Sequence, residues 1–370
     1  MKRLRLLILL ILTIATVLIA CRTNEPIQST TNDQTASDLA QTTQLKAKAG
    51  AIALDPIDSS LAKLLAELPP VKVDRSAFPV TIKNCGRTLT FQHPPQRVIS
   101  LWQPPNELLL ALGVQDHIIG IAGNYTALLP SVVEAAKAIP QLGGATSWPS
   151  REVMLTQTPD LVVSEGLEGF AFDPAQGYAT VDELEQNGAQ VISTGSSCTP
   201  LQSANRGIDV VYEDLRMLGQ VFGVAERAGV LIDRLQQWEM KIAQHVAGRK
   251  MIPTVFYNGG EGPLSVLTAG VWRDAIRKAN GKTNFDSDVF QVGVEEFANS
   301  GAEVILIGVY PGQAPDPLMA FLTQTFPDLP AVRGDRMYPI PTIETEASIR
   351  IIAGLEKIAR AIHPEAFAKN

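Results

Sequence analysis

Aromatic residues recur where an expected strand gives way to a helix. Trp102 follows residues 98–101, Tyr125 follows 118–121, and Phe170 and Phe172 follow 161–163, while Trp148 precedes a helix that starts near Glu152. In the second half Tyr257 ends a strand, Trp272 opens a helix, and Tyr310 follows Ile307-Gly308. Loops at the carboxyl ends of parallel strands face the ligand crevice of open α/β sheets. Rings placed there can stack on a planar chelate, although core filling is the ordinary alternative for each ring taken singly. With aromatic residues at only 6% of the chain, the clustering favours a lined cleft, with Trp102, Trp148 and Tyr257 as its strongest members. Arg273 and Arg350 could hold an anionic chelate through charge-assisted bonds. Gln103, Asn258 and Glu344 fall in expected cleft loops and could add hydrogen bonds.

These residues suit binding better than catalysis. No G-x-S-x-G, P-loop or G-x-G-x-x-G is present, and Gly259-Gly260-Glu261-Gly262 lacks the lysine of a phosphate cradle. The four histidines, His93, His117, His245 and His363, fall in unrelated segments, so direct capture of zinc or manganese is not expected. No cofactor is expected.

Two acids repeat. Glu152 lies eight positions before Asp160 and its strand Leu161-Val162-Val163; Glu295 lies eight positions before Glu303 and its strand 304–307. Each half thus reads acid, short helix, acid, buried strand. The plain reading of Glu152 and Glu295 is an acid favoured by a helix N-terminus by about 0.3–1 kcal/mol.

The 370 residues suit two domains of ordinary size. Apolar residues make up 45%, charged residues 19%, and mean hydropathy is +0.09, enough for a substantial core. The net charge of −7 argues against nucleic acid. Lys2, Arg3 and Arg5 precede an apolar run over 6–20. That run is shorter than the roughly 20 residues of a spanning helix, so it reads as a signal peptide. It ends Leu18-Ile19-Ala20-Cys21, which resembles a bacterial lipobox with Cys21 as the lipid anchor; an unlipidated secretory signal is the alternative. Cleavage would leave 28 basic residues against 38 acids, a net charge of −10. Outside the cytoplasm disulfides persist, which makes Cys85 and Cys198 candidates for a pair, free thiols being the alternative.

Residues 22–50 are rich in Thr, Gln, Ser and Ala and read as a flexible tether, extended to residue 70 with a short amphipathic helix over 58–68. A β-hairpin turns at Asn84-Cys85-Gly86-Arg87. Strands at 98–101, 118–121, 161–163 and 191–192 alternate with helices at 107–112, capped by Asn106, and 181–186. The rhythm resumes with strands at 254–257 and 304–307 and helices at 271–279 and 348–362. Alternation of this kind implies parallel sheets. The longest uninterrupted helical pattern, 201–222, bridges the halves at about 33 Å; a second helix at 225–246 opens the next unit. The expected fold class is α/β. Two Rossmann-like lobes, 71–200 and 224–370, are joined by a single helix at 201–223, with the ligand cleft between them.

The ordered set Pro95-Gln96-Arg97-Val98-Ile99-Ser100-Leu101, Asn106-Glu107-Leu108-Leu109-Leu110-Ala111-Leu112-Gly113, Asp116-His117-Ile118-Ile119-Gly120 and Pro159-Asp160-Leu161-Val162 carries a further signal. Together with Leu218-Gly219-Gln220-Val221-Phe222-Gly223 it resembles the ferric-siderophore and vitamin B12 substrate-binding proteins of ABC importers, over about residues 71–364. Gly301-Ala302-Glu303 departs from the usual N-P-D of the second half. The resemblance implies two lobes that move little. It implies that Glu152 and Glu295, one per lobe tip, pair with arginines of the permease dimer, charges that steer docking. Asn84-Cys85-Gly86-Arg87-Thr88 is similar to members with a cysteine at that place.

The expectation is a monomeric, lipid-anchored solute-binding protein on the extracytoplasmic side of a bacterial membrane. It would capture a ferric siderophore at Trp102, Gln103, Tyr125, Trp148, Phe170, Tyr257, Asn258, Trp272, Arg273, Tyr310 and Glu344, and deliver it to the permease. A cobalamin or related corrinoid is the alternative ligand, an extracytoplasmic α/β enzyme a different class, and a ligand-free scaffold a third.

Overall fold

A computed structural model describes residues 57–195, 198, 205–286 and 289–368. The signal segment, Cys21 and most of the tether lie outside these residues. Among the described residues no helix is long and apolar enough to cross a membrane.

The elements run as follows. Helix α1 (Ile57–Ala66) precedes the hairpin β1 (Val80–Asn84) and β2 (Arg87–Phe91). The first α/β set is β3 (Val98–Leu101), α2 (Gln103–Leu112), β4 (Ile118–Ala122), α3 (Pro130–Ala136), α4 (Arg151–Thr156), β5 (Leu161–Glu165), α5 (Val181–Gln186) and β6 (Gln190–Thr194). Helices α6 (Asp209–Val221) and α7 (Ala225–Val246) then lead to the second set. This comprises β7 (Ile252–Tyr257), β8 (Leu264–Ser265), α8 (Gly270–Lys278), β9 (Gly281–Lys282), β10 (Gln291–Val292), α9 (Val294–Ala298), β11 (Val304–Val309), α10 (Pro315–Thr325), α11 (Pro330–Arg333), β12 (Met337–Pro341) and α12 (Ile351–Ile362).

Two separate four-stranded parallel sheets result, ordered β4-β3-β5-β6 and β12-β11-β7-β9. Their central strands are buried along almost their whole length, as parallel strands covered on both faces by helices must be. The sheets correspond strand by strand: β3 to β7, β5 to β11, β6 to β12. Helix α4 leads into β5 as α9 leads into β11, which places Glu152 and Glu295 at matching positions, each in the first turn of its helix.

One apolar cluster runs from Val98, Leu161 and Val163 of the first sheet through Val211, Leu215, Leu218, Leu231 and Leu235 of α6 and α7 to Phe256, Val304 and Leu306 of the second. The outer faces of the two sheets carry separate clusters, around Ile99 and Val162 and around Val255 and Ile305. The bridge is therefore a helical pair sharing its core with both sheets.

Several boundaries differ from expectation. Helix α6 starts at Asp209, so the rod expected from residue 201 is shorter; residues 201–204 lie outside the described set. Gly223 (φ +68°) separates it from the longer α7. Helix α2 starts at Gln103 because Pro104 and Pro105 occupy its first turn, where missing N–H groups cost nothing. Asn106 is consequently inside the helix, donating to Ala122 O and Asn124 Oδ1 at 3.0 and 2.8 Å rather than capping. Residues 57–70 belong to the folded body rather than to a tether. Leu61, Leu65 and Leu68 are buried. Arg234 of α7 donates to Leu64 O and Glu67 O at 2.9 and 2.8 Å, satisfying carbonyls at the end of α1.

The hairpin β1–β2 turns at Cys85 (φ +51°) and Gly86 (φ +74°), a two-residue loop needing positive φ at both central positions. Its Asn84 amide exchanges hydrogen bonds with Ser193 N and O, so a side chain completes the open edge of β6. Cys85 is bonded to Cys198 just beyond that strand.

Candidate functional site

The carboxyl ends of both sheets open on a cleft of about 430 Å³. Its first-lobe wall is an aromatic layer. Trp102 stacks on Tyr125 at 4.8 Å and on Trp148 at 6.0 Å, and Trp148 meets Phe170 and Tyr178 edge-on at 5.9 and 5.8 Å. Trp102 sits at the β3–α2 junction with φ +110°, a conformation that costs a bulky residue on the order of 1–3 kcal/mol. It is held there by Trp102 N–H donating to Ala122 O at 2.9 Å. The second lobe contributes Val271 and Trp272 from the start of α8, Phe290, and Glu346 and Ala347 before α12. Thr345 accepts a 3.1 Å bond from the Trp272 indole and fixes that ring. The indole N–H of Trp148 has no acceptor among the described residues.

The floor is acidic. Glu165 at the end of β5, Glu168 and Glu346 line the cleft, against a single basic residue among the described ones, Arg206, itself paired with Glu213. Glu346 accepts a 2.5 Å bond from the Tyr125 hydroxyl across the lobes. Burial, and then the neighbouring Glu165 charge, push the Glu346 carboxyl up to about 8, against the pull of donors from Tyr125 and Trp102. The Trp102 indole acts on the carboxylate without ordinary hydrogen-bond geometry, since Oε2 has no such partner among the described residues. The same burial, with the Glu346 charge, raises the Tyr125 hydroxyl.

Behind this wall Asp214 of α6 accepts from Gly195 N at 2.7 Å, and burial pushes its carboxyl to about 8. The native state therefore keeps protons that the unfolded chain, ionising near 4, gives up. Between pH 4 and 8 the folded protein binds more protons, so the stability from Asp214 and Glu346 is full below about pH 4 and is lost as pH rises toward 8. Asp214→Asn is expected to roughly halve the fall in urea midpoint between pH 5 and pH 8. An unchanged slope would show that Asp214 ionises normally.

Of the residues expected in the cleft, Trp102, Trp148, Phe170 and Trp272 line it and Tyr125 backs it. The others do not line it. Gln103 is fully buried and donates to Ala127 O at 3.2 Å. Tyr257 lies in the second-lobe core against Phe297 and donates to Gly260 O. Arg273 is spent on Thr268 O and Phe285 O. Glu344 pairs with Lys357 of α12 at 2.6 Å. Asn258 donates to the exposed Tyr310 hydroxyl at 3.1 Å, away from the lining residues. Arg350 makes a two-point bond to Glu107 at 2.5 and 2.7 Å and also donates to Ala127 O, tying α12 to α2. In each case the side chain is taken up by packing, backbone or side-chain partners instead of facing the opening. Sequence reasoning missed Glu165, Glu346 and Phe290. Glu165 was readable as the residue ending a parallel strand; Glu346 follows β12, whose Pro339 and Pro341 hide an edge strand.

A cleft of ligand size thus lies between two parallel-sheet lobes. Residues 98–342 match the sequence profile of the periplasmic binding protein family, and the chain belongs to that family of solute-binding proteins, which are not enzymes. It is 20% identical over 322 residues to an uncharacterized ABC transporter substrate-binding lipoprotein, YvrC, of Bacillus subtilis, covering 80% of this chain and 89% of that one. It is 24% identical over 268 residues to a cobalamin-binding protein of Halobacterium salinarum, covering 70% and 67%. Among solved structures, an ABC-type Fe3+-hydroxamate transport system protein from Saccharomonospora viridis superposes with a TM-score of 0.60 at 28% identity, covering 79% of this chain and all of that one.

Proposed function

We propose that the protein captures an iron–siderophore complex outside the cytoplasm and delivers it to the permease of an ABC importer, anchored through lipid on Cys21. The observation that carries this is the convergence of three indoles, Trp102, Trp148 and Trp272, from both lobes on one cleft. Indole faces cover the apolar periphery of a chelate, and the unpaired Trp148 N–H is a donor for a ligand oxygen. The hydroxamate-system neighbour supports the iron reading.

A corrinoid is the second reading. The near-parallel Trp102 and Trp148 rings, 29° apart, offer a flat wall to a macrocycle, and a relative is named cobalamin-binding. Exposed Glu152 and Glu295, at equivalent places in the two lobes and without ion-pair partners among the described residues, are the permease contacts in this proposal.

Quenching of tryptophan emission on titration with ferrichrome, ferrioxamine B, ferric enterobactin and cyanocobalamin tests the reading. Saturable quenching by a ferric chelate is expected, weakened about 30-fold by Trp102→Ala, the loss of a roughly 2 kcal/mol contact. Saturation by cyanocobalamin alone would select the corrinoid. Flat titrations throughout would refute both.

A further inference from the structure

We infer that the cleft prefers a chelate bearing a cationic group, an ammonium or guanidinium, over one that is neutral or anionic at its periphery, and that Glu346 sets this preference. The inference rests on the metal-chelate reading above and narrows its substrate class. The charges of the site run one way. Glu165 and Glu168 come from one lobe and Glu346 from the other, and the only basic lining residue among the described residues, Arg206, is already bonded to Glu213. An anionic chelate would meet three carboxyl groups and no spare cation. A pendant cation would meet carboxyl oxygens beside three indole faces, and aromatic faces also attract cations.

Glu346 is placed to discriminate because the groups acting on it converge from both lobes. Glu165 at the end of β5 acts on it as a like charge. Glu107 of α2 acts likewise from further off and is held by Arg350. Tyr125 donates to its Oε1, and Trp102 lies over the same carboxyl. Burial and the Glu165 charge push this carboxyl up to about 8, which favours its protonated form at neutral pH. Arrival of a cation favours the ionised form, so the group loses its proton as the ligand seats. A neutral ligand needs no such release.

Ferrioxamine B and its N-acetyl derivative share one ferric hydroxamate core and differ in a pendant ammonium. Titrated by tryptophan quenching, ferrioxamine B is expected to bind about tenfold tighter or more at pH 8.5, the value of a charge-assisted bond. The ratio is expected to shrink toward pH 6, where seating the cation requires removal of a tightly held proton. Calorimetry in buffers of different ionisation enthalpy is expected to show proton release for the amine and none for the acetylated chelate at pH 7. Glu346→Gln is expected to bring the affinity ratio to about one at pH 8.5. The wild-type pH profile reads the same preference if that variant fails to fold. Equal affinities at pH 8.5, or a ratio that Glu346→Gln leaves intact, overturn the inference while the chelate reading stands. Failure of both chelates to bind overturns this inference, while the chelate reading is decided by the wider titration above.

Discussion

Arg350→Ala is expected to destabilise the protein by about 3–5 kcal/mol, because it strands a carboxylate in the interior. Glu107 is 0% and Arg350 7% exposed. Both guanidinium bonds to Glu107 cross from α12 to α2, while Leu129 N and Gln103 Nε2 complete the shell of the Glu107 carboxyl at 3.2 Å. Glu107→Ala is expected to cost a similar amount, because it removes the carboxylate that accepts both guanidinium bonds. The double change Glu107→Leu with Arg350→Met is expected to cost less than either single change, since it removes both desolvated charges and keeps the volume. Urea midpoints for the three variants check this. Losses under about 1 kcal/mol for the single variants would mean that water reaches the pair.

Glu152→Ala combined with Glu295→Ala is expected to abolish uptake of the ligand while leaving its affinity for the isolated protein unchanged. Both helices run antiparallel to the strands they precede, so their N-terminal turns sit on the side of the sheets where the cleft opens. Each acid is exposed and makes no ion pair among the described residues, whereas the adjacent Arg151 is bound to Glu183. The single variants are expected to fall between wild type and double variant. Whole-cell uptake of a radiolabelled ferric chelate, read beside quenching titrations, separates docking from binding. Retained uptake in the double variant would remove these residues from the interface, and lost affinity would place them in the binding site.

The periodicities carried most of the frame. The hairpin turn, the buried strands around Ile99, Val162 and Ile305 and the capping box of α5 were readable because local chemistry and final structure agree there. The start of α2 misled because Asn106 looks like a cap, while the true start is set by two prolines. In the cleft, Trp102 could be placed from the strand it follows and Trp148 from the helix it precedes. Tyr257 could not. Strand alternation decides whether a terminal side chain faces the opening or the core, and β7 turns it toward Phe297. The acidic floor as a whole was harder to read for another reason: Glu346 is far from Glu165 and Glu168 in sequence and joins them only when the two lobes are assembled.

The shared apolar layer through α6 and α7 has a bearing on how a membrane partner could tell a loaded molecule from an empty one. Two sheets sharing one inner apolar seam are expected to act as a caliper with a nearly fixed gap, and a gate reading only the distance between its tips would then see much the same span in either state. Loading must then announce itself through the chelate surface left uncovered at the mouth, or through the calm it imposes on the rings beneath.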